Sequence, residues 1–255
     1  MTRGSHPPRL RLLRAGFPEN PSLDTAASRA LLLRASAGEM SPVLRLHRPG
    51  PVVAFGRQDV RSPGYARAVA AAREAGFTAV ERLAGGRAAV FHEDTIAFAW
   101  TRPDPSPASR TTARFQEISG LLCAAFRRLG VDARVGEVSG EYCPGAYSVN
   151  ARGTRKLMGV GQRLAPRAAH VGGVIVVDRS DRVRSALVPV YDRLGLSWTP
   201  DTAGSIAEEV GGARYDDVLA AVIDEFASRY ELEDTEFDGE TVALAQKLSA
   251  DHRSP

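Results

Sequence analysis

The spacing of apolar and polar positions predicts that strands dominate the middle of the chain and that helices flank them. Asp24 is suited to start a helix that continues to Ala35. Helical spacing also predicts segments, two of them closed by glycine, over 65–75, 115–129, 215–230 and 241–250. Short apolar runs between turn residues predict strands over 43–47, 52–55, 77–82, 88–92, 95–100 and 170–178. Among these strands, 88–92 and 95–100 are expected to pair with each other.

A β-hairpin is expected further along, with strands at 147–150 and 156–162 around a turn at 151–154. Because strand and helix do not alternate regularly, the fold class is predicted to be α+β, with a mixed, largely antiparallel sheet covered by helices. The Pro-, Arg- and Ser-rich residues 1–22 indicate an irregular N-terminal arm. Residues 23–250 are expected to form a single domain, and residues 251–255 a frayed tail.

Composition narrows the classes of function. The 255 residues carry a formal net charge of only +3, and the basic residues are dispersed, so no nucleic-acid partner is expected. No apolar run is long enough to span a membrane and no signal peptide is evident, so neither a membrane nor a secreted location is expected. Two cysteines do not make a disulfide framework. The sequence thus indicates a cytoplasmic protein with reduced thiols, and it leaves the oligomeric state open.

Lysine is unusually rare in this chain. Of 33 basic residues only Lys156 and Lys247 are lysine, and the others are arginine. A lysine kept beside Arg155 indicates a need for a compact ammonium on a flexible stem, which a guanidinium cannot replace. The alternative is that Lys156 is there by chance, as Lys247 is expected to be on the last helix.

Four further residues stand out in and around one predicted turn. Gly85 and Gly86 allow backbone amides to approach a carboxylate or phosphate closely, and Arg82 adds charge. A plain hairpin turn explains the same pattern. His92, at a strand end, is either a hydrogen-bonded structural residue or part of a site. Because no second His or Cys stands at ligand spacing, no metal site is expected.

Cys143 lies in a Pro-Gly turn sequence, thirteen residues before Lys156. The hairpin could bring the two side chains together, and a nearby ammonium favours the thiolate that a nucleophilic cysteine needs. An incidental loop cysteine is the alternative. Cys123 falls on the apolar face of a predicted helix and is expected to be inert.

Taken together, these stretches resemble the biotin/lipoate protein ligase family, in its lipoate-ligase and cysteine-dependent octanoyltransferase branch. That family has Arg-x-x-Gly-Gly before Val-x-His, then Lys-x-x-Gly-x-x-Gln-x-Arg, then an apolar strand introduced by His-Gly. The corresponding segments here are Arg82–Gly86, Val90–His92, Lys156–Gln162 and His170–Gly173. The resemblance implies a biotin/lipoate ligase-like catalytic domain over nearly the whole chain.

The resemblance also implies an activity. Such proteins attach octanoate or lipoate to the lysine of a lipoyl carrier domain, such as the glycine cleavage H protein or a 2-oxoacid dehydrogenase E2 subunit. Lys156 would anchor the acyl carboxylate and polarise its carbonyl, with Cys143 as thioester-forming nucleophile. The remaining substrate-binding residues would be Arg82, Gly85, Gly86, His92, Gly159, Gln162 and His170.

Three functions remain open at the level of sequence. The favoured one is a transferase in which Cys143 takes octanoate from acyl carrier protein, with no permanently bound cofactor. The second is a ligase that uses ATP and Mg to form a lipoyl-adenylate. The third is a non-catalytic binder of lipoate or an acylated carrier, which would not need Cys143 and Lys156 together.

Overall fold

The computed structural model describes residues 7–255. Eleven strands are formed within that range: β1 (Arg9–Leu13), β2 (Val43–His47), β3 (Val52–Phe55), β4 (Thr78–Glu81), β5 (Ala89–Phe91), β6 (Thr95–Pro103), β7 (Ala133–Val135), β8 (Val149–Ala151), β9 (Arg155–Ala165), β10 (Ala168–Val176) and β11 (Glu231–Thr235). Eight α-helices accompany them: α1 (Pro21–Ala37), α2 (Arg57–Val60), α3 (Tyr65–Glu74), α4 (Thr111–Arg128), α5 (Ser180–Leu194), α6 (Ile206–Val210), α7 (Tyr215–Ala227) and α8 (Gly239–Leu248).

The strands form two sheets. The large sheet has the order β11-β1-β2-β6-β10-β9-β8-β7, and the small sheet has the order β4-β3-β5. In the large sheet β1 runs parallel to β2 and β11, and all the other neighbours are antiparallel. The predicted mixed, largely antiparallel sheet is therefore confirmed, as is the hairpin, which β8 and β9 form.

Each face of the large sheet meets different partners. Because alternate side chains of a strand point to opposite faces, Ile96, Phe98 and Trp100 of β6 enter one core with α4 and α7. A second core joins the small sheet to α3 and α5. Helix α1 packs against α8 and lies over β6 and β10 on the face opposite α4.

Two pairs of strands that are adjacent in sequence are not partners in a sheet, and for one of these pairs the expectation was wrong. Strands β2 and β3 are adjacent in sequence but belong to different sheets, so they do not form a hairpin. Strand β5 pairs with β3, and β6 pairs with β2 and β10, so β5 and β6 are not partners either. The chain crosses between sheets at both connections, and a space is left between the two sheets.

Both ends of the described range, 7–255, are more ordered than predicted. Of the expected irregular arm 1–22, residues 1–6 lie outside the described residues. The remainder contains β1, which pairs with β2 and β11 and buries Leu10, Leu12 and Leu13. Helix α1 begins at Pro21, where the Asn20 side chain accepts the Leu23 N–H at 3.2 Å, so Asp24 lies in the first turn instead of capping it.

The tail packs back on the small sheet instead of fraying. His252 is buried and donates from Nδ1 to the carbonyl of Glu81 at 2.7 Å. Ser254 accepts a hydrogen bond from the Tyr65 hydroxyl at 2.9 Å. None of the helices within residues 7–255 has both the length and the apolar character that crossing a bilayer requires.

Candidate functional site

A cavity separates the two sheets and is mostly apolar. It holds about 770 Å³ counted out to its open mouth, and we call it the apolar cavity. Its walls come from α1, from β2, β6 and β10 of the large sheet, and from all three strands of the small sheet. The crossings at β2–β3 and β5–β6 thus create a slot between the sheets.

Small residues on one face of the large sheet keep the slot open. Ala97, Ala99 and Gly172 line it, at positions where bulkier side chains would fill the space between the sheets. A Cβ on Gly172 would lie 2.7 Å from His170 Nε2 and 2.9 Å from the Phe98 carbonyl oxygen, so no larger residue fits there without displacement. The slot is therefore encoded by side-chain size as well as by topology.

One part of the apolar cavity is polar. His47 and Asp24 line it, and Asp24 bonds to His47 Nε2 at 2.7 Å and to the fully buried Arg45. Burial raises the pKa of Asp24, but the Arg45 charge together with His47 outweighs burial and holds it well below its ordinary value. His170 also lines the cavity, where burial and then Arg45 lower its pKa to about 4. Both the carboxylate and a neutral His170 are favoured at neutral pH.

A smaller cavity adjoins the first and contains the predicted reactive pair. Cys143 and Lys156 both line this second space, which we call the cysteine cavity. Four residues belong to both cavities, and they are Arg82, Phe91, Gly172 and Gly173. The cysteine cavity therefore adjoins the apolar cavity across a shared wall.

The thiol of Cys143 is held in a defined position. Its Sγ accepts the Arg87 backbone N–H at 3.2 Å and lies 3.8 Å from the Arg82 guanidinium. Its own N–H donates to the Tyr191 hydroxyl at 2.8 Å, and that hydroxyl donates onward to the Ala88 carbonyl at 3.1 Å. A backbone donor and a guanidinium at sulfur both stabilise a thiolate.

Backbone geometry around the thiol is unusual. Cys143 has a φ of +43°, in the left-handed region that costs energy for a residue with a Cβ. Gly86 has a φ of +106°, and a Cβ added to it would lie 2.8 Å from Cys143 Sγ. Glycine is needed at position 86 both for the backbone angle and for the space that the sulfur occupies.

Lys156 is buried and satisfied by the loop that carries the cysteine. Its Nζ donates to Glu141 Oε1 at 2.9 Å, to the Tyr142 carbonyl at 3.0 Å and to the Cys143 carbonyl at 2.8 Å. The ammonium also lies 4.8 Å from the centroid of the Tyr142 ring. An ammonium has three N–H donors, so all of them are used within this loop. Lys156 therefore fixes the position of the cysteine loop directly.

Comparison with known proteins assigns this arrangement to a family. Residues 20–227 match the family described as the lipoyl protein ligase A/B catalytic domain. The chain belongs to that family.

Relatives and solved structures agree with the family membership. The chain is 26% identical over 166 residues to an octanoyl-[GcvH]:protein N-octanoyltransferase of Geobacillus kaustophilus, covering 65% of this chain and 58% of the relative. It is 28% identical over 189 residues to a protein of the same name from an Exiguobacterium species, covering 70% and 67%. The chain thus spans less than two thirds of the first of these relatives.

Two solved structures share the fold. The bipartite lipoate protein ligase of Thermoplasma acidophilum, analysed with its E2 lipoyl domain, has a TM-score of 0.76 at 19% identity, with 95% of this chain and 92% of that chain covered. A lipoate-protein ligase A bound with ATP has a TM-score of 0.74 at 19% identity, with 95% and 94% covered. The predicted α+β lipoate-ligase fold is confirmed.

The structure places some of the predicted lipoate-ligase-family site residues at the two cavities. Arg82 lines both, His170 lines the apolar cavity, and Gly159 lines the cysteine cavity. A Cβ on Gly159 would lie 3.2 Å from Lys156 Cε, so a small residue here leaves room for the lysine stem. Gly86 adjoins the sulfur, as described above.

Three predicted substrate-binding residues are oriented elsewhere. The N–H of Gly85 donates to the Gln162 carbonyl at 3.4 Å, and the Gln162 side chain joins Arg114 at 2.9 Å to the Thr111 carbonyl at 2.8 Å. His92 lines neither cavity. Its buried ring accepts the Asp94 N–H at 3.2 Å, and burial lowers its pKa to about 4. Contact of Gly85, Gln162 and His92 with a substrate therefore stays a prediction, and in this structure their polar groups bond within the protein.

Other important residues gave no recognisable sequence signal. Glu141, fully buried, also accepts from the Ser148 hydroxyl at 2.7 Å and from the Gly145 N–H at 3.1 Å, so it organises the whole cysteine loop. Tyr191 reaches Cys143 from helix α5, which the apolar spacing did not reveal. Burial, and then charge on Cys143, raises the pKa of Tyr191 well above its ordinary value, so its hydroxyl stays a donor. Within residues 7–255, no three His, Cys, Asp or Glu side chains cluster as a metal site would require.

Proposed function

We propose that this protein transfers an octanoyl or lipoyl group to the lysine of a lipoyl carrier domain through a thioester on Cys143. The observation that carries the proposal is the position of Cys143 Sγ, in a cavity that shares a wall with a mostly apolar slot. An acyl chain is apolar with one polar end, so it suits a greasy slot that ends at a nucleophile and a few donors.

The donor and acceptor follow from the relatives. Their shared name puts octanoyl-[GcvH] before the colon, as donor, and a protein after it, as acceptor. For this chain we propose an octanoylated carrier of the glycine cleavage H type as donor and an E2 lipoyl domain as acceptor. Acyl carrier protein is the alternative donor.

The chemistry has two balanced steps. In the first, the Cys143 thiolate attacks the acyl carbonyl, the carbon–nitrogen bond to the donor lysine breaks, and the departing amine takes the proton that the thiol lost. In the second, the acceptor lysine amine attacks the thioester, the carbon–sulfur bond breaks, and the amine proton restores the thiol. No ATP is consumed, because the acyl group is already attached to a carrier.

Residues near the sulfur would assist both steps. Arg82 and the Arg87 amide would stabilise the thiolate, as nucleophile and as leaving group. The Gly86 amide, which donates to no residue within 7–255, is available for the negative charge on the acyl oxygen. Lys156 would hold the loop in its reactive position. Its predicted contact with the acyl carbonyl would require it to release one of its three present acceptors.

Intact-protein mass spectrometry tests the thioester. The protein is incubated without ATP with octanoylated H protein or, separately, with octanoyl-acyl carrier protein. The matched control variant is Cys123→Ala. We expect a hydroxylamine-sensitive octanoyl adduct on wild type and on Cys123→Ala, but none on Cys143→Ala. The donor that gives the faster adduct identifies the natural class of donor.

Other outcomes point to the alternatives. ATP-dependent attachment of lipoate that survives in Cys143→Ala would replace the proposal with the ligase mechanism, for which ATP and Mg are needed. Tight binding of octanoate without an adduct and without turnover would leave a non-catalytic binder.

A further inference from the structure

A third cavity adjoins the reaction site and is rich in arginine. It holds about 510 Å³ counted out to solvent, and we call it the basic cavity. Four arginines line it, and they are Arg29, Arg57, Arg82 and Arg163. Arg82 also lines the apolar and cysteine cavities and is the residue whose guanidinium lies 3.8 Å from Cys143 Sγ. The basic cavity is thus separated from the nucleophile by little more than one side chain.

Two of these arginines lack an internal partner. The Arg29 guanidinium pairs with Asp251 at 2.8 Å, and Arg82 bonds to carbonyls of its own loop. The side chains of Arg57 and Arg163 form no hydrogen bond or ion pair with any residue in 7–255. Arg163 is half-buried, and burial followed by the like charges of Arg57 and Arg29 holds its pKa below its ordinary value. Arg57 is exposed to solvent, so an anion from outside can reach Arg57 and Arg163 together and pair with both.

The remaining walls limit which anion fits. Glu81 and Asp251 also line the basic cavity, and they would repel a doubly charged phosphate. A single carboxylate needs only the two unpaired guanidinium groups, which bind it in a planar, bidentate manner. Val60 and Leu83, both partly exposed, provide an apolar surface beside the charges, as a docked side chain with a methylene stem requires. A protein carboxylate therefore satisfies these walls better than a phosphate does.

We propose that the basic cavity binds an acidic side chain of the carrier protein, held by Arg57 and Arg163, while the carrier's lysine reaches Cys143. The proposal rests on the proposed function, since it assumes a protein carrier. It assigns carrier recognition to residues that take no part in the thioester chemistry. It also explains how a chain with a net charge of only +3 can favour an acidic partner at one place on its surface.

Steady-state kinetics with octanoylated H protein tests this site. The variant is Arg57→Gln/Arg163→Gln, and the matched control is Arg67→Gln, which also removes an exposed arginine without an internal partner, on α3. We expect the variant to raise KM for the octanoylated carrier about tenfold or more with little change in kcat, because charge-assisted bonds to a carboxylate are lost. The control should keep the wild-type KM. Raising the salt concentration should raise the KM of wild type for the carrier much more than that of the variant.

A small donor separates docking from chemistry. Thioester formation from octanoyl-N-acetylcysteamine, which has no carrier protein, should proceed at the same rate in wild type and variant. An unchanged KM for the carrier in Arg57→Gln/Arg163→Gln would overturn the proposal. So would inhibition by ATP or inorganic phosphate that is present in wild type and lost in the variant, since the cavity would then be a phosphate site.

Direct binding keeps the two proposals distinguishable. If wild type forms no thioester from any donor, the proposed function fails, but calorimetry can still measure carrier binding to the Cys143→Ala protein. Weaker carrier binding after adding the two arginine changes would support the docking site by itself. Equal carrier binding with and without the two arginine changes would rule out the docking site.

Discussion

The ion pair between Lys156 and Glu141 gives the sharpest test of how the site is built. Both side chains are at most 1% exposed, and their atoms lie 2.9 Å apart. Lys156→Met keeps the apolar stem but leaves the Glu141 carboxylate buried without its cation. Breaking a buried pair in this way costs about 3–5 kcal/mol. For a domain of this size, each kcal/mol lowers Tm by about 2–4 °C, so we expect a fall of about 10 °C.

The assay compares three variants with wild type by calorimetric or fluorescence melting. Lys247→Met removes the other lysine, which is exposed on α8, and should leave Tm unchanged. Lys156→Met/Glu141→Gln should recover part of the loss, because the uncompensated charge is gone while Ser148 and Gly145 keep an acceptor. The octanoyl adduct on Cys143 should fall in both Lys156 variants, since the bonds to the loop carbonyls are lost. A Lys156→Met protein with wild-type Tm and full adduct formation would refute the reasoning.

Three further predictions concern the cavity and its surroundings. Gly86→Ala should slow octanoyl adduct formation by about tenfold or more in a mass-spectrometric time course, because its Cβ would lie 2.8 Å from Cys143 Sγ at a φ of +106°. Ala99→Leu should fill the apolar cavity and shift preference from octanoyl to shorter acyl donors, measured as a ratio of kcat/KM values. An unchanged ratio would mean that the acyl chain binds outside this cavity. The lowered pKa values of His92 and His170, each about 4, mean that the unfolded chain takes up these protons near pH 6.5 and the folded protein only near pH 4. Stability should therefore be intact above about pH 6.5 and fall towards pH 4, by about 3 kcal/mol per histidine in urea titrations, and His170→Gln should reduce that slope.

Local sequence signals predicted the parts of the site that are close in the chain. The hairpin around 151–154 and the rarity of lysine together indicated Cys143 and Lys156 as neighbours, and the Lys156 bond to the Cys143 carbonyl confirms that they are. Gly86 was predicted from the sequence because a pair of glycines after a strand favours a tight turn with accessible backbone amides. The fold class followed from the absence of a strand–helix–strand rhythm.

Features that depend on long-range pairing were not predictable in this way. Strand β1 pairs with β2 and also with β11, which lies more than two hundred residues later in the chain. The apolar slot forms because small residues on β6 and β10 face the small sheet. This arrangement depends on the order of strands, which no single segment of the sequence determines. Glu141 was overlooked because a single carboxylate in a turn looks solvent-exposed until its partners Lys156 and Ser148 are known.

The burial of Lys156 has a consequence for side reactions. Activated acyl groups react with amines but not with guanidinium groups at neutral pH, because a guanidinium remains protonated. With Lys156 enclosed, Lys247 is the one lysine amine that residues 7–255 expose to solvent. A surface in which arginine supplies almost every positive charge therefore resists accidental self-acylation. Under the proposed function, an activated acyl group at Cys143 would meet few amines apart from the carrier's own lysine.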